Sequence, residues 1–147
     1  MKPRVHVVTL AVADLDRALA FYRDGLGFPT KGLIGTGFQG DETTPDGTTA
    51  VFHLDGGLML SIYPRPELAK DAGIPLSAPK SGEFSVGHVV ASRAEVDEVI
   101  AQAEAAGAAV IDSPHDRPWG IYSGYFQDPD GHLWEIIWNP ALDLESS

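Results

Sequence analysis

Thr48 to Leu54, Leu58 to Tyr63, Phe84 to Ala91 and the two aromatic and β-branched runs either side of Asp128-Pro129-Asp130-Gly131 read as strands, and Val5 to Ala13 and Leu133 to Trp138 show apolar positions recurring with a period of two. That spacing predicts strands with one buried face. Asp14 ends the first strand as an N-cap, and Leu15, Ala18, Leu19, Tyr22 and Leu26 follow at helical spacing until Gly25 and Gly27 close the helix. A second helix opens on the Ser92-Arg93-Ala94-Glu95 capping box and buries Val96, Val99, Ile100, Ala103 and Ala106, with Gly107 just past its end. Short strands are expected around Thr30 to Ile34 and Ala108 to Ile111. Gly35 to Gly47 and Asp112 to Gly120 read as loops. Pro64 to Glu83 holds four prolines and reads as a linker with one helical turn near Glu67 to Lys70.

The chain is organised around Gly124 to Pro140. Pro129 is preset for a turn and Gly131 is free to take positive φ, so the flanking runs form a β-hairpin. In its second strand the alternation sets Leu133, Glu135 and Ile137 on one face and His132, Trp134, Ile136 and Trp138 on the other. Trp134 and Trp138 are therefore expected in helix packing or a subunit interface. Glu135 is an acid among apolar neighbours, a costly placement unless it is paired, hydrogen-bonded or bound to a metal.

Both halves read β-α-β-β-β. At an offset of 78, Val7 to Val12 lies over Ser85 to Val90, and Leu58 to Tyr63 resembles Leu133 to Trp138. The expected fold class is α+β: one domain over 1–147, with βαβββ modules at about 5–63 and 84–140 joined by linker 64–83. Each sheet would carry a helix on one face and turn the other towards a shared cleft.

With no cysteine there is no disulfide, thiol nucleophile or zinc-thiolate site, so any metal needs His, Asp or Glu. A formal charge of -11 argues against nucleic acid, whose phosphates need clustered Lys and Arg. The same charge would attract a cationic ligand; its plainer reading is solubility. No apolar run approaches the roughly 20 residues that span a bilayer. The opening residues lack a signal-peptide pattern, so a cytoplasmic location and no membrane partner are expected. Gly35 to Gly40 has neither the Lys-Ser/Thr ending nor the following helix of a phosphate loop. No Ser-His-Asp arrangement can be assigned from the spacing, and no nucleophile elbow is present.

Val8 to Tyr22 and Tyr125 to Glu135 resemble the start and end of the glyoxalase, bleomycin-resistance and extradiol-dioxygenase superfamily, the vicinal oxygen chelate proteins. The resemblance covers nearly the whole chain and implies the two-module fold and a homodimer. It leaves the reaction open, because the family includes lyases, dioxygenases, epimerases, thiol transferases and non-catalytic drug-binding proteins. Metal-dependent members take one ligand from the first and one from the last strand of each module. Carried over, these positions fall on Val7, on Leu60 or Ser61, on Ser85 and on Glu135. Only Glu135 is a metal donor, so the chain is expected to do without the usual metal and to have no cofactor. The alternative is a divalent ion at a displaced site formed by Glu135 with His6, His53 or His88.

The resemblance thus implies a small-molecule binder, one that sequesters a toxic or antibiotic-like compound. The rival is a lyase or dioxygenase with a displaced metal site or with Glu135 as proton shuttle. For Glu135 itself, a structural carboxylate bonded to a neighbouring Tyr or to backbone stands beside both. Trp119, Tyr122 and Tyr125 suggest a binding wall, broad apolar rings with polar edges among glycines, and core packing explains each of them as well. With Thr9, Leu60, Ser85 and Glu135 they complete the expected substrate-binding set.

Overall fold

In the computed structural model, which describes residues 1–142, the turn at Asp128-Pro129-Asp130-Gly131 is closed by its own first carboxylate. Asp128 is 4% exposed, and its Oδ1 accepts the backbone N–H groups of Asp130 at 3.0 Å and His132 at 2.8 Å. Gly131 takes φ 87°, a left-handed value that is unfavourable for any residue with a Cβ. The turn joins β7 (Tyr122–Gln127) to β8 (Leu133–Trp138). Their antiparallel register sets Tyr125 opposite Glu135 and Phe126 opposite Trp134.

The chain divides into two compact units, Met1–Ala78 and Pro79–Ser147. The first contains β1 (Val7–Val12), α1 (Leu15–Leu19), β2 (Thr30–Ile34), β3 (Thr49–His53), β4 (Met59–Pro64) and α2 (Arg65–Ala72). The second contains β5 (Val86–Val90), α3 (Arg93–Ala105), β6 (Ala109–Asp116), β7 and β8. Their sheets run β1-β4-β3-β2 and β5-β8-β7-β6. In each, the first strand pairs in parallel with the last and the remaining pairs are antiparallel. The class is α+β, and the repeat of βαβββ order is a repeat of topology.

Period-two alternation decides what each sheet buries. Leu10, Val12, Ala50, Phe52, Leu60 and Ile62 are each no more than 2% exposed and share one face of the first sheet. Phe21 and Tyr22 meet them from the helix, with Tyr22 and Phe52 ring centroids 5.7 Å apart. The Asp14 carboxylate accepts the Arg17 N–H at 3.1 Å to start α1. From Ala20 to Gly25 the helix widens into a π turn, where a regular helix was expected. Phe21 and Tyr22 both lie buried in this turn.

In the second unit Val96, Ile100 and Ala103 of α3 cover Val90, Phe126, Trp134 and Ile136, all buried. Ser92 Oγ accepts the Glu95 N–H at 3.1 Å, the forward bond of a capping box, and the Glu95 carboxylate reaches back one residue past the cap to the Ala91 N–H at 3.4 Å. Arg93 lies over the Tyr122 and Trp138 rings at 5.0 and 5.1 Å. Trp138 thus joins Trp134 in helix packing.

Two expectations are corrected. The stretch read as a linker begins with an eight-residue helix, α2, rather than one turn. Pro64 and Pro66 fall at its start, where no intrahelical N–H is needed, and Gly73 ends it in the left-handed region. Prolines that read as breakers here open a helix. The stretch read as a loop from Asp112 is strand as far as Asp116, with register shifts between Val110 and Asp112 and between Asp112 and His115. These are β-bulges, which blur the alternation by which a strand is recognised.

Gly124 lets the bulged strand approach. A Cβ there would lie 3.0 Å from Asp112 O, Pro114 N and Pro114 Cγ, and two of these are backbone atoms that cannot swing away. Gly124→Ala is therefore expected to cost about 1–3 kcal/mol by overpacking, read as a lower urea midpoint. Gly87→Ala, whose Cβ meets Ile137 Cδ1 at 3.5 Å, an ordinary contact, should not lower it.

Candidate functional site

On the second sheet, the face away from α3 carries Asp112, Tyr125, Glu135 and Gly87 as one row across β6, β7, β8 and β5. The neighbouring row holds His115, Ser123, Ile137 and Val89. In a regular strand, residues three apart face opposite sides. The β6 bulges bring Asp112 and His115 to the same side, where His115 Nε2 lies 3.1 Å from Asp112 Oδ2.

Arg117 ties the rows together. The turn after β6 is held by Arg117 N–H to Ile121 O at 2.6 Å and Gly120 N–H to Arg117 O at 3.1 Å, and the side chain folds back over the sheet. Its Nη1 donates to Asp112 Oδ2 at 2.9 Å, its Nε to Ser123 Oγ at 2.9 Å and its Nη2 to Ser123 O at 3.1 Å. The guanidinium lies 5.5 Å from the Tyr125 ring centroid. Ser123, fully buried, lies 2.9 Å from Glu135 Oε2. Because a guanidinium only donates and a carboxylate only accepts, the one hydroxyl proton of Ser123 goes to Glu135.

Hydrogen bonds from His115 and then Arg117 hold the Asp112 carboxyl below the usual carboxylate range. Burial, and then the Glu135 charge beside it, push the Tyr125 phenol above its ordinary value of 10, against the opposing pull of Arg117.

Of the residues anticipated for the site, Glu135 and Tyr125 lie side by side. Tyr122 is on the other face, its hydroxyl donating to Asp97 Oδ1 of α3 at 2.6 Å. Trp119 stands 68% exposed in the β6–β7 turn, and Ser85 is exposed just ahead of β5. In the first unit Thr9 pairs with Ser61 on the sheet face away from α1, whereas Leu60 is 2% exposed in the core. Leu60 and Ile62 are buried as Trp134 and Ile136 are, so Ser61 rather than Leu60 is the counterpart of Glu135. Ser61 Oγ lies 3.0 Å from Thr49 Oγ1.

His88 pairs with Ile136 and so shares its face, opposite Glu135; burial lowers its pKa. His6 precedes β1 and His53 ends β3, both exposed. The positions at which related metal proteins carry ligands thus hold Val7, Ser61, Ser85 and Glu135. Taken unit by unit, neither a hydrocarbon with one hydroxyl in the first nor a hydroxyl with one carboxylate in the second fits a divalent ion. Among the described residues, no three of His, Asp and Glu come together as a metal-holding group. A separate cavity of about 650 Å³ in the first unit, bounded by Gly37 to Glu42, Asp46, Glu67 and Lys70, contains none of the anticipated residues.

Sequence reasoning missed Arg117, Ser123 and Asp112 as parts of one network. Pro114 within an extended run was the available signal, since proline in a strand marks an edge or a bulge.

Fold and site together define a two-module α+β protein with an acid on the face of its second sheet away from the helix. The chain belongs to the Glyoxalase/Bleomycin resistance protein/Dioxygenase superfamily, whose sequence model matches residues 4–136. Among solved structures it is similar to a glyoxalase-related enzyme from Fulvimarina pelagi, at 27% identity over 98% of this chain and 94% of that one, with a TM-score of 0.80. It is similar to lactoylglutathione lyase from Agrobacterium tumefaciens at 26% identity, with coverage of 95% and 96% and a TM-score of 0.63. TioX from Micromonospora sp. ML1 is 27% identical, with coverage of 91% and 97% and a TM-score of 0.57. No curated protein matches the chain in sequence. No helix among the described residues is long and apolar enough to cross a membrane.

Tyr125 is raised chiefly by burial, Tyr122 by its bond to Asp97 and Tyr63 by burial. The unfolded chain therefore releases these protons first as pH rises. The stability they contribute is complete below about pH 10 and is lost as pH climbs through the folded values. Urea midpoints should fall over that range. Following the labelled Tyr125 Cζ by NMR, Glu135→Gln should bring its titration down towards 10, because the opposing charge is gone.

Proposed function

We propose that this chain is a small-molecule-binding member of its superfamily that works without the usual metal. Its ligand is a cationic, partly aromatic compound received at Glu135, and its role is to sequester that compound. The observation that carries this reading is the Glu135 carboxylate beside Tyr125 on the sheet face away from α3, steadied by Ser123. Arg117 gives its direct ion pair to Asp112 and meets Glu135 through neutral neighbours, Ser123 and Tyr125, so the charge of Glu135 is left for a ligand. The chain's formal charge of -11 draws a cation towards the protein from a distance, and the Tyr125 ring supplies apolar area next to the acid.

A second reading, a lyase in which Glu135 moves a proton, is favoured by the 26% identity to lactoylglutathione lyase. Both place the chemistry on the same residue and differ in whether a product forms.

Calorimetric titration with benzyltrimethylammonium tests the binder. The native protein should take up the probe, and Glu135→Gln should weaken it about tenfold or more, roughly 1.4 kcal/mol. Equal affinity in the two proteins would remove Glu135 from the site. Formation of S-lactoylglutathione by the native protein, abolished by the same substitution, would replace the binder with the lyase.

A further inference from the structure

We propose that Arg117 is a positioning residue for Glu135 and acts through Ser123. A serine hydroxyl is a rotor with three staggered positions, one proton and two lone pairs. Left alone, Ser123 could turn that proton towards a backbone carbonyl and leave Glu135 with the Tyr125 hydroxyl but without this second donor. Arg117 removes the choice. Its Nε and Nη2 grip Oγ and the carbonyl of the same residue, a two-point contact that fixes the hydroxyl oxygen against the Ser123 backbone. Since Oγ is then an acceptor from Arg117, its proton is directed at Glu135 Oε2.

The clamp is itself held. Asp112 takes Nη1, Tyr125 lies beneath the guanidinium, and the side chain is 13% exposed, so water competes little for these bonds. His115 is the other group on Asp112. The two carboxylates at the ends of the chain are treated differently. Asp112 receives the cation directly, while Glu135 receives orientation from a neutral hydroxyl. An acid held in one geometry with its charge uncancelled is preorganised for a cationic ligand, and this consequence rests on the binding reading above. The positioning does not.

The test follows the side-chain carboxyl carbon of Glu135 by NMR in uniformly 13C-labelled protein, assigned by its loss in Glu135→Gln. Ser123→Ala and Arg117→Gln should move this resonance in the same direction, and the double variant should move it no further than Ser123→Ala alone. Arg93→Gln loses a guanidinium from the opposite face of the same sheet and controls for general loosening; it should leave the resonance in place. Arg117→Lys keeps the charge without the two-point grip and should behave as Arg117→Gln does, and it carries the comparison if the glutamine variant fails to fold.

In benzyltrimethylammonium titrations, Arg117→Gln should weaken binding three- to tenfold in the native background and have no effect in the Ser123→Ala background. If native protein does not bind the probe, the ligand reading fails while the carboxyl resonance still decides the positioning. An unmoved resonance in Arg117→Gln, or native behaviour restored by Arg117→Lys, overturns the positioning even where the probe binds.

Discussion

The register between β7 and β8 is the constraint on which both faces of the second sheet depend. Asp128 holds the turn through two backbone N–H groups, and from there the pairing of Phe126 with Trp134 and Tyr125 with Glu135 follows residue by residue. A slip of one position would send Trp134 and Ile136 to the other face and drive Glu135 beneath α3, against Val96 and Ile100. Each large side chain so exposed would lose about 2 kcal/mol, and the buried acid would lose Ser123 as well as water. Turn chemistry and core packing therefore select the same register, and the chemistry of the face away from α3 comes with it.

The two units use one topology for different ends. On the first sheet, the face away from α1 presents Thr9, Ser61 and Thr49, neutral groups of which Thr49 bonds both Ser61 and the Ile62 carbonyl. The corresponding face of the second sheet carries two carboxylates, a guanidinium, an imidazole and a phenol in bonded sequence. Strand order cannot account for the difference, because it is the same in both. Both edge strands shift register, β2 once and β6 twice; what differs is that the shifts in β6 set Asp112 and His115 on one side and that Arg117 returns over the sheet.

Family membership sits easily with this division. The superfamily's fold supplies a sheet face with strand-end positions available for ligands, and which side chains occupy them decides the chemistry. Here Val7, Ser61 and Ser85 leave Glu135 alone as a charged group at those positions. The polar residues around it come from elsewhere, from β6, its turn and β7, and hydrogen bonds tie them to the acid and to one another.

The sequence by itself determined the class, the repeat and the face of Glu135, because alternation, caps and turn residues are local signals. The Ser92 cap, the Asp-Pro-Asp-Gly turn and the parity of Leu133 to Trp138 each report on a few neighbouring residues. Parity also separates Ser61 from Leu60 once the core is seen, though the sequence left both open. Tertiary structure alone decided which polar groups meet. Asp112 and His115 share a face only because of the bulges, Gly124 admits that bulged backbone by lacking a Cβ, and Arg117 reaches Ser123 across a turn whose path no local pattern encodes. Alternation along one strand is a property of the chain, whereas a hydrogen-bond network across three strands depends on where the folded backbone places its donors.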